Sequence, residues 1–213
     1  MKKNSIYDDS PSVQKKCNLC AEADLDVGKK TPYGGFVVHT VGSSITDRWF
    51  ATLSPKTGGD ITADFTIQLM PSAHLTHFAQ LSQYPALARN YGLAFAQLSS
   101  AMGQLIAGND IISSIALSRE SGVSIATYGK CTNWKDKKEH LHIKLFPFRG
   151  VMGQPSTVDS TFEKKEVYTD QKTGEEFVKM MPVQKQLIPA KRLRELADRL
   201  IECIHSNSSS PIP

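Results

Sequence analysis

A short segment in the second half of the chain alternates polar and apolar residues. Residues 139–147 read EHLHIKLFP, and the polar positions after the first are His140, His142 and Lys144. Successive side chains of a strand point to opposite faces, so two imidazoles and an ammonium would share one face while aliphatic side chains pack on the other. Imidazoles bind metals or act as nucleophiles, and an ammonium binds phosphate. A solvated polar strand face is the alternative.

A second chemical feature is the CxxC pair of Cys17 and Cys20. This spacing is typical of a zinc half-site or a redox pair, and it also occurs in two buried thiols. The pair follows a charged arm and does not end a strand of a βαβ unit, which disfavours a thioredoxin-like role. Tetrahedral zinc would need two further donors, for which histidines are the candidates. The histidines are His39, His74, His77, His140, His142 and His205.

Lysines are concentrated immediately before the alternating segment. They are Lys130, Lys135, Lys137 and Lys138. Together they predict a cationic approach suited to phosphate, although any one of them can be part of a solvated charge run. Upstream, His74 stands just beyond the end of a predicted strand.

An antiparallel sheet and two helices must position these residues. Clusters of β-branched and aromatic residues predict strands near 34–40, 48–53, 65–70, 111–117, 122–128 and 141–148. Apolar residues at three- and four-residue spacings over residues 84–107 predict an amphipathic helix that packs across one face of the sheet. A hairpin around residues 172–174 and a helix over residues 189–205 follow.

Length and composition limit the class of protein. The chain has 213 residues, of which 40% are hydrophobic and 22% charged, so it forms one or at most two domains and is neither disordered nor fibrous. We predict an N-terminal arm at 1–16, a main domain at 17–150, a C-terminal extension at 151–205 packed on that domain, and a frayed tail at 206–213. The extension could cover a site, extend a dimer or only lengthen the core.

Several features favour a cytoplasmic protein. No run of about 20 apolar residues is present that would span a membrane. Polar residues at 4–14 occupy the place where a signal peptide would be apolar. Four cysteines are too few for a disulfide scaffold of the kind found in secreted proteins. The net charge of +4 is compatible with anionic ligands but does little to identify the binding partner.

Three of these segments together resemble the histidine triad family. The sequence HLHIKLFP at 140–147 resembles its motif of three histidines separated by single hydrophobic residues and often followed by proline. The CxxC pair resembles the metal-binding start of many bacterial members, and QLMPSAH at 68–74 is similar to their strand that ends in Ile-Pro-x-x-His. The resemblance covers residues 17–150. It implies an α+β fold with an antiparallel sheet of about five strands and packed helices, often as a homodimer.

The resemblance also implies a set of site residues. Structural zinc would be held by Cys17, Cys20, His74 and His140, which form a Cys2His2 set. His142 matches the middle histidine, which attacks the α-phosphorus of a nucleotide and forms a nucleotidyl-imidazole intermediate. Such a nucleophile needs one neutral ring nitrogen aimed at phosphorus while an acceptor holds the other ring N–H.

The chain departs from the family pattern in two places. Lys144 replaces the third histidine, where galactose-1-phosphate uridylyltransferase and some dinucleoside polyphosphate phosphorylases carry glutamine, so hydrolysis and transfer to another acceptor both stay open. The usual Asn and Ala-Gly-Gln segment is replaced by GKCTNWKDKK at 129–138. We expect phosphate to be bound there by lysines and stabilised by Lys144, whereas Trp134 either stacks on the base or packs. The phosphate-binding lysines would be Lys130, Lys135 and Lys138.

The base and ribose sites have weaker candidates. An apolar slot could be formed by Phe50, Leu53 and Ile67, for which packing in the strand core is the alternative. Asp60 or Asp64 could bind ribose, with turn capping as the alternative.

The functional hypothesis is hydrolysis or nucleotidyl transfer at the α-phosphate of a nucleoside phosphate or dinucleoside polyphosphate. The partners expected are a nucleotide substrate and a second copy of the chain, with no membrane and with nucleic acid not favoured. The alternatives are a non-catalytic nucleotide-binding module and an RNA-binding zinc module.

Overall fold

A computed structural model describes residues 17–107, 122–128, 140–148, 162–182 and 184–209. The strands in chain order are β1 (Phe36–Val41), β2 (Trp49–Leu53), β3 (Lys56–Thr57), β4 (Ile67–Pro71), β5 (Gly122–Tyr128), β6 (His142–Phe148), β7 (Phe162–Thr169), β8 (Glu176–Pro182) and β9 (Gln186–Leu187). The helices are α1 (Pro85–Ala107) and α2 (Ala190–Ser209), and short 3-10 helices cover Cys20–Glu22 and Phe78–Gln83.

Five of the described strands form one antiparallel sheet in the order β1-β2-β4-β6-β5. Because strand side chains alternate, the sheet has two distinct faces. The first face, which we call the helix face, buries aliphatic side chains such as Leu69, Ile143 and Leu145 in the main core. His142 and Lys144 alternate with these residues and therefore belong to the opposite face, which we call the open face. The α+β class is thereby confirmed.

Helix α1 covers the helix face along its predicted apolar stripe. It begins at Pro85, where the missing N–H of proline costs no helical hydrogen bond. Leu87, Leu98 and Met102 are fully buried against the sheet. The indole Nε1–H of Trp49 donates to the carbonyl oxygen of Leu87 at 2.8 Å, which ties β2 to the first turn of α1. The predicted helix over 84–107 is confirmed.

Helix α2 packs against α1 and β1 and adds its own apolar side to the core. The buried side chains are Leu193, Leu196, Ala197, Leu200 and Ile204. The helix continues to Ser209, so residues 206–209, which the sequence assigns to a frayed tail, are helical. The side-chain amide of Gln104 in α1 donates to the Oδ1 atom of Asn207 at 2.8 Å, which holds this last turn.

The C-terminal extension contains the predicted hairpin and one pairing that was not predicted. Strands β7 and β8 pair around a turn in which Gly174 has a φ of 73°, a conformation that glycine adopts without strain. The short strand β9 pairs with β3, which lies between the strands predicted near 48–53 and 65–70. The backbone N–H of Ile188 donates to the carbonyl oxygen of Pro55 at 2.9 Å and continues this contact.

Some predictions lie outside the described residues. They are the arm at 1–16 and the strand near 111–117. In the part of the chain that the structure does describe, no helix combines the length and the apolar character needed to cross a membrane.

We predict that Leu98→Ala lowers the free energy of unfolding by about 3 kcal/mol, because it leaves a cavity where the side chain is fully buried. Leu93→Ala is the matched control, since Leu93 is on the same helix and 50% exposed, and it should change stability by less than about 0.5 kcal/mol. Urea denaturation followed by circular dichroism measures both. Equal losses would contradict the assignment of the core.

Candidate metal centre and adjoining histidine

The four predicted metal ligands lie together in the structure. Cys17, Cys20, His74 and His140 are all buried, and one donor atom from each lies within 4.8 Å of the others. They come from three separate parts of the sequence, so the fold and not local spacing brings them together. These side chains are close enough to hold a metal ion.

The two cysteines are supplied by a turn that packs on the open face. The backbone N–H of Ala21 donates to the carbonyl oxygen of Cys17, and the 3-10 helix Cys20–Glu22 follows. Ala23, just after this helix, packs with Phe50 and Met70 on the open face. This small apolar contact holds the CxxC segment against the sheet.

The two histidines are supplied by adjacent strands of the sheet. His74 follows the end of β4 by three residues, and His140 precedes β6 by two. The backbone N–H of Leu141 donates to the carbonyl oxygen of Leu75 at 2.6 Å, so the segments that carry the histidines are joined directly. The imidazole rings have centroids 5.1 Å apart and meet edge to face.

The distances between donor atoms suit a tetrahedral ion. The Sγ atom of Cys20 lies 3.3 Å from Nδ1 of His74 and 3.4 Å from Nδ1 of His140, and the Sγ atom of Cys17 lies 3.6 Å from Nδ1 of His140. Around tetrahedral zinc, Zn–S and Zn–N bonds of ordinary length separate sulfur from nitrogen by about 3.6 Å. The donor set and its spacing therefore fit a closed structural metal site.

The protonation states of the donors also suit a metal. The Nε2–H of His140 donates to the carbonyl oxygen of Pro71 at 2.8 Å, so its Nδ1 lone pair faces the cysteines. Backbone carbonyls commonly orient metal-binding histidines in this way. The neighbouring Cys20 and, to a lesser extent, His140 and His74 lower the pKa of the Cys17 thiol to about 2 against the opposing effect of burial. A thiolate is the form of cysteine that binds metals.

His142 adjoins this centre on the open face and is half-buried. Its Nδ1–H donates to the carbonyl oxygen of His140 at 2.9 Å, so the lone pair of the neutral ring is on Nε2. Burial lowers the pKa of His142. The hydrogen bond to His140 raises that pKa, while the positive charges of Lys144 and Lys185 lower it.

Lys144 is only 7% exposed, although lysine is seldom buried. It lies opposite Gln68 of β4 and Ala126 of β5 in the sheet register. Strand β6 thus has a neighbour on each side, so Lys144 does not lie at an edge of the sheet. Lys144 brings a positive charge to the same face as His142, as the alternation of the sequence predicts.

The remaining predicted residues fall into two groups. Lys130, Trp134, Lys135 and Lys138 lie outside the described residues, so their proposed roles stay predictions. Leu53 and Ile67, two of the candidates for an apolar base slot, are fully buried in the core on the helix face, whereas His142 is on the open face. These two side chains therefore pack in the core, which was the alternative interpretation.

The aspartates and the other histidines have local structural roles. The Oδ1 atom of Asp60 accepts from the backbone of Thr62 at 2.7 Å, and the Oδ2 atom of Asp64 accepts from the backbone of Asp60 at 2.9 Å, as turn capping requires. His39 Nε2 and Gln97 Oε1 are 2.9 Å apart, and His77 caps the 3-10 helix that follows it. His205 is an exposed residue of α2.

Sequence reasoning missed Lys185, whose charge acts on His142. It precedes β9, and no motif marks it.

Comparisons with protein-family models, with curated proteins and with solved structures gave no match. The functional interpretation therefore depends on this chain's own residues and their geometry.

We predict that the purified protein binds one equivalent of a metal ion and that His74→Ala loses it. Loss of one of four ligands should lower both metal content and thermal stability, because metal binding is coupled to folding. His205→Ala is the control, since His205 is exposed on α2 and outside the cluster. Mass spectrometry of metal content and thermal melts with and without a chelator measure the effect. Equal metal content in both variants would exclude the assigned ligands.

Proposed function

We propose that this chain is a zinc-containing enzyme of the histidine triad type. It acts at the α-phosphate of a nucleoside phosphate or dinucleoside polyphosphate through a covalent intermediate on His142. The observation that carries the proposal is the hydrogen bond from Nδ1–H of His142 to the carbonyl oxygen of His140, which leaves the lone pair on Nε2. The nearby positive charge of Lys144 on the same face suits a phosphate.

The proposed metal is zinc, held by Cys17, Cys20, His74 and His140. Bound there, zinc supplies structure and takes no part in the reaction. The cysteine segment would be held against the open face beside Phe50 and Met70, and His140 would be fixed next to the nucleophile. The proposed metal site would thus fix the position of the His140 carbonyl oxygen, which accepts the hydrogen bond from the ring of His142.

In the first proposed step the Nε2 lone pair of His142 attacks the α-phosphorus. A nitrogen–phosphorus bond forms, the bond from phosphorus to the leaving oxygen breaks, and the leaving group takes that electron pair. The ring becomes positively charged, and its Nδ1–H remains bonded to the carbonyl oxygen of His140, which stabilises that charge. A ring that is neutral before the reaction is needed, and the lowered pKa of His142 supports this.

In the second step water, phosphate or another acceptor attacks the same phosphorus. The nitrogen–phosphorus bond breaks, its electron pair returns to Nε2, and the acceptor loses its proton to solvent. Water yields a nucleoside monophosphate, and another acceptor yields a transferred nucleotide. Lys144 stabilises the charge that develops on the phosphoryl oxygens in both steps, because its ammonium is held near the reacting group in a poorly solvated place.

A non-catalytic module is the second candidate. The specific observation that favours it is Lys144, which replaces the third histidine of the motif and is buried beside His142. Saturable nucleotide binding without product would support a nucleotide-binding module. Retention of single-stranded RNA that falls steeply with salt would support an RNA-binding one.

Sedimentation of the purified protein tests the proposed homodimer.

We predict that His142→Ala abolishes turnover of a nucleotide panel and the covalent adduct, while metal content stays unchanged. The side chain that forms the bond to phosphorus is lost, whereas the ligands of the metal centre remain. Product chromatography and intact-protein mass spectrometry after acid quenching measure the two effects. His205→Ala should behave as wild type. Turnover by His142→Ala at the wild-type rate would refute the covalent mechanism.

We predict that Lys144→Met lowers kcat by about 10²- to 10³-fold, because one charged donor is removed from the transition state. Lys172→Met is the control, since Lys172 lies in the exposed turn between β7 and β8. Steady-state kinetics and equilibrium nucleotide binding separate a loss of catalysis from a loss of affinity. An unchanged kcat in Lys144→Met would show that this charge does not stabilise the transition state.

A further inference from the structure

A cavity of about 360 Å³ lies on the helix face of the sheet, where β1, α1 and α2 meet. Apolar side chains of all three elements supply its walls, among them Val38, Val41, Leu93 and Ile204. Ligand cavities in proteins have volumes of about 300–1,000 Å³ and mostly apolar walls. The cavity therefore has room for a small organic molecule.

Two apolar residues of the cavity wall are unusually accessible to solvent. Val27 is 37% exposed and Leu93 is 50% exposed, and both line the cavity. Other leucines of α1, such as Leu87 and Leu98, are fully buried in the core. A molecule bound in the cavity would cover part of this apolar surface, and removal of apolar surface from water favours binding.

A β-bulge brings a histidine to the same cavity. In the register of β1 with β2, Val37 lies opposite Thr52. His39, two residues further on, lies opposite Ala51, which is the next residue of β2, so β1 contains one extra residue. Paired residues of antiparallel strands share a face, and Ala51 belongs to the core on the helix face. His39 is therefore on the helix face together with Val38, whereas strict alternation would place it on the open face.

The hydrogen bond of His39 determines what its ring offers to a ligand. The Nε2–H donates to Oε1 of Gln97 in α1 at 2.9 Å, so the lone pair of the neutral ring is on Nδ1. The described residues make no second hydrogen bond to this ring. Burial lowers the pKa of His39, and the charge of His205 acts in the same direction against the effect of Gln97. The ring is thus neutral at neutral pH and offers a hydrogen-bond acceptor.

We propose that this cavity binds a small, neutral and largely apolar molecule that carries one N–H or O–H donor. The apolar walls contact the body of the molecule, and Nδ1 of His39 accepts its donor. No lysine or arginine is among the described residues that line the cavity, so an anion is not favoured. The site is on the opposite face of the sheet from His142 and does not depend on the proposed function.

The binding test uses indole as the probe, because indole is an apolar ring system with a single N–H donor. Titration of the isotope-labelled protein, followed by NMR, should shift the amide resonances of β1, α1 and α2 around the cavity. Benzofuran has the same shape but no donor, and it should bind about three- to tenfold more weakly, because one hydrogen bond is lost. Equal affinities, tighter binding of a carboxylated indole, or no binding of indole would each overturn the inference.

Two leucine variants locate the site on the protein. Leu93→Trp should weaken indole binding by roughly tenfold or more, because the larger side chain fills part of the cavity. Leu187→Trp is the matched control, since Leu187 is a 66% exposed leucine of β9 and does not line the cavity. It should bind indole as wild type does. Equal affinities of the two variants for indole would overturn the inference.

His39→Phe tests the hydrogen bond itself. Phenylalanine keeps a ring in this place but has no acceptor, so the variant should bind indole and benzofuran with equal affinity. Circular dichroism checks that the variant is folded, and the leucine variants decide the location of the site if it is not. A preference for indole that persists in folded His39→Phe would show that His39 does not accept the donor, which overturns the inference.

Discussion

The arrangement depends on His140, which takes part in two interactions through different atoms. Its ring donates Nε2–H to the carbonyl oxygen of Pro71 and turns Nδ1 toward the two cysteines. Its backbone carbonyl accepts Nδ1–H of His142. The Cys/His cluster and the tautomer of the neighbouring imidazole are therefore coupled through a single residue. A shift of His140 would disturb both, since neither hydrogen bond tolerates much change in distance or angle.

The register of β6 sets the second constraint. Ile143 and Leu145 fill the core on the helix face, so the residues between them must point to the open face. A slip of one residue would place His142 and Lys144 in an apolar core and expose the aliphatic side chains. Burial of an unpaired ammonium among aliphatic groups costs several kcal/mol, and the aliphatic burial would be lost as well. The same packing that stabilises the sheet thus places His142 and Lys144 on the open face.

Sequence patterns predicted the parts whose packing is local or periodic. The stripe of α1 and the alternation of β6 repeat within one element, so the side chains themselves indicate which face is buried. The ligand set was predicted only through the family resemblance, because Cys20 and His74 are far apart in sequence. The β3–β9 pairing was not predictable, since two-residue strands carry no periodicity and the tertiary fold determines their partners. The extra turn of α2 depends on the bond from Gln104 to Asn207, which crosses between helices.

In the proposed mechanism, Lys144 stands where the resemblance places a third histidine, and this changes which steps the site would assist. A histidine in that place can give a proton to a departing oxygen and take one from an incoming water, because its pKa lies near neutrality. An ammonium offers a fixed positive charge and stabilises phosphate oxygens in both steps without needing to exchange a proton. Leaving groups that depart as stable anions, such as phosphate chains, need no proton from the enzyme. If His142 is the proposed nucleophile, Lys144 beside it therefore suits leaving groups that depart as anions better than alcohols or amines.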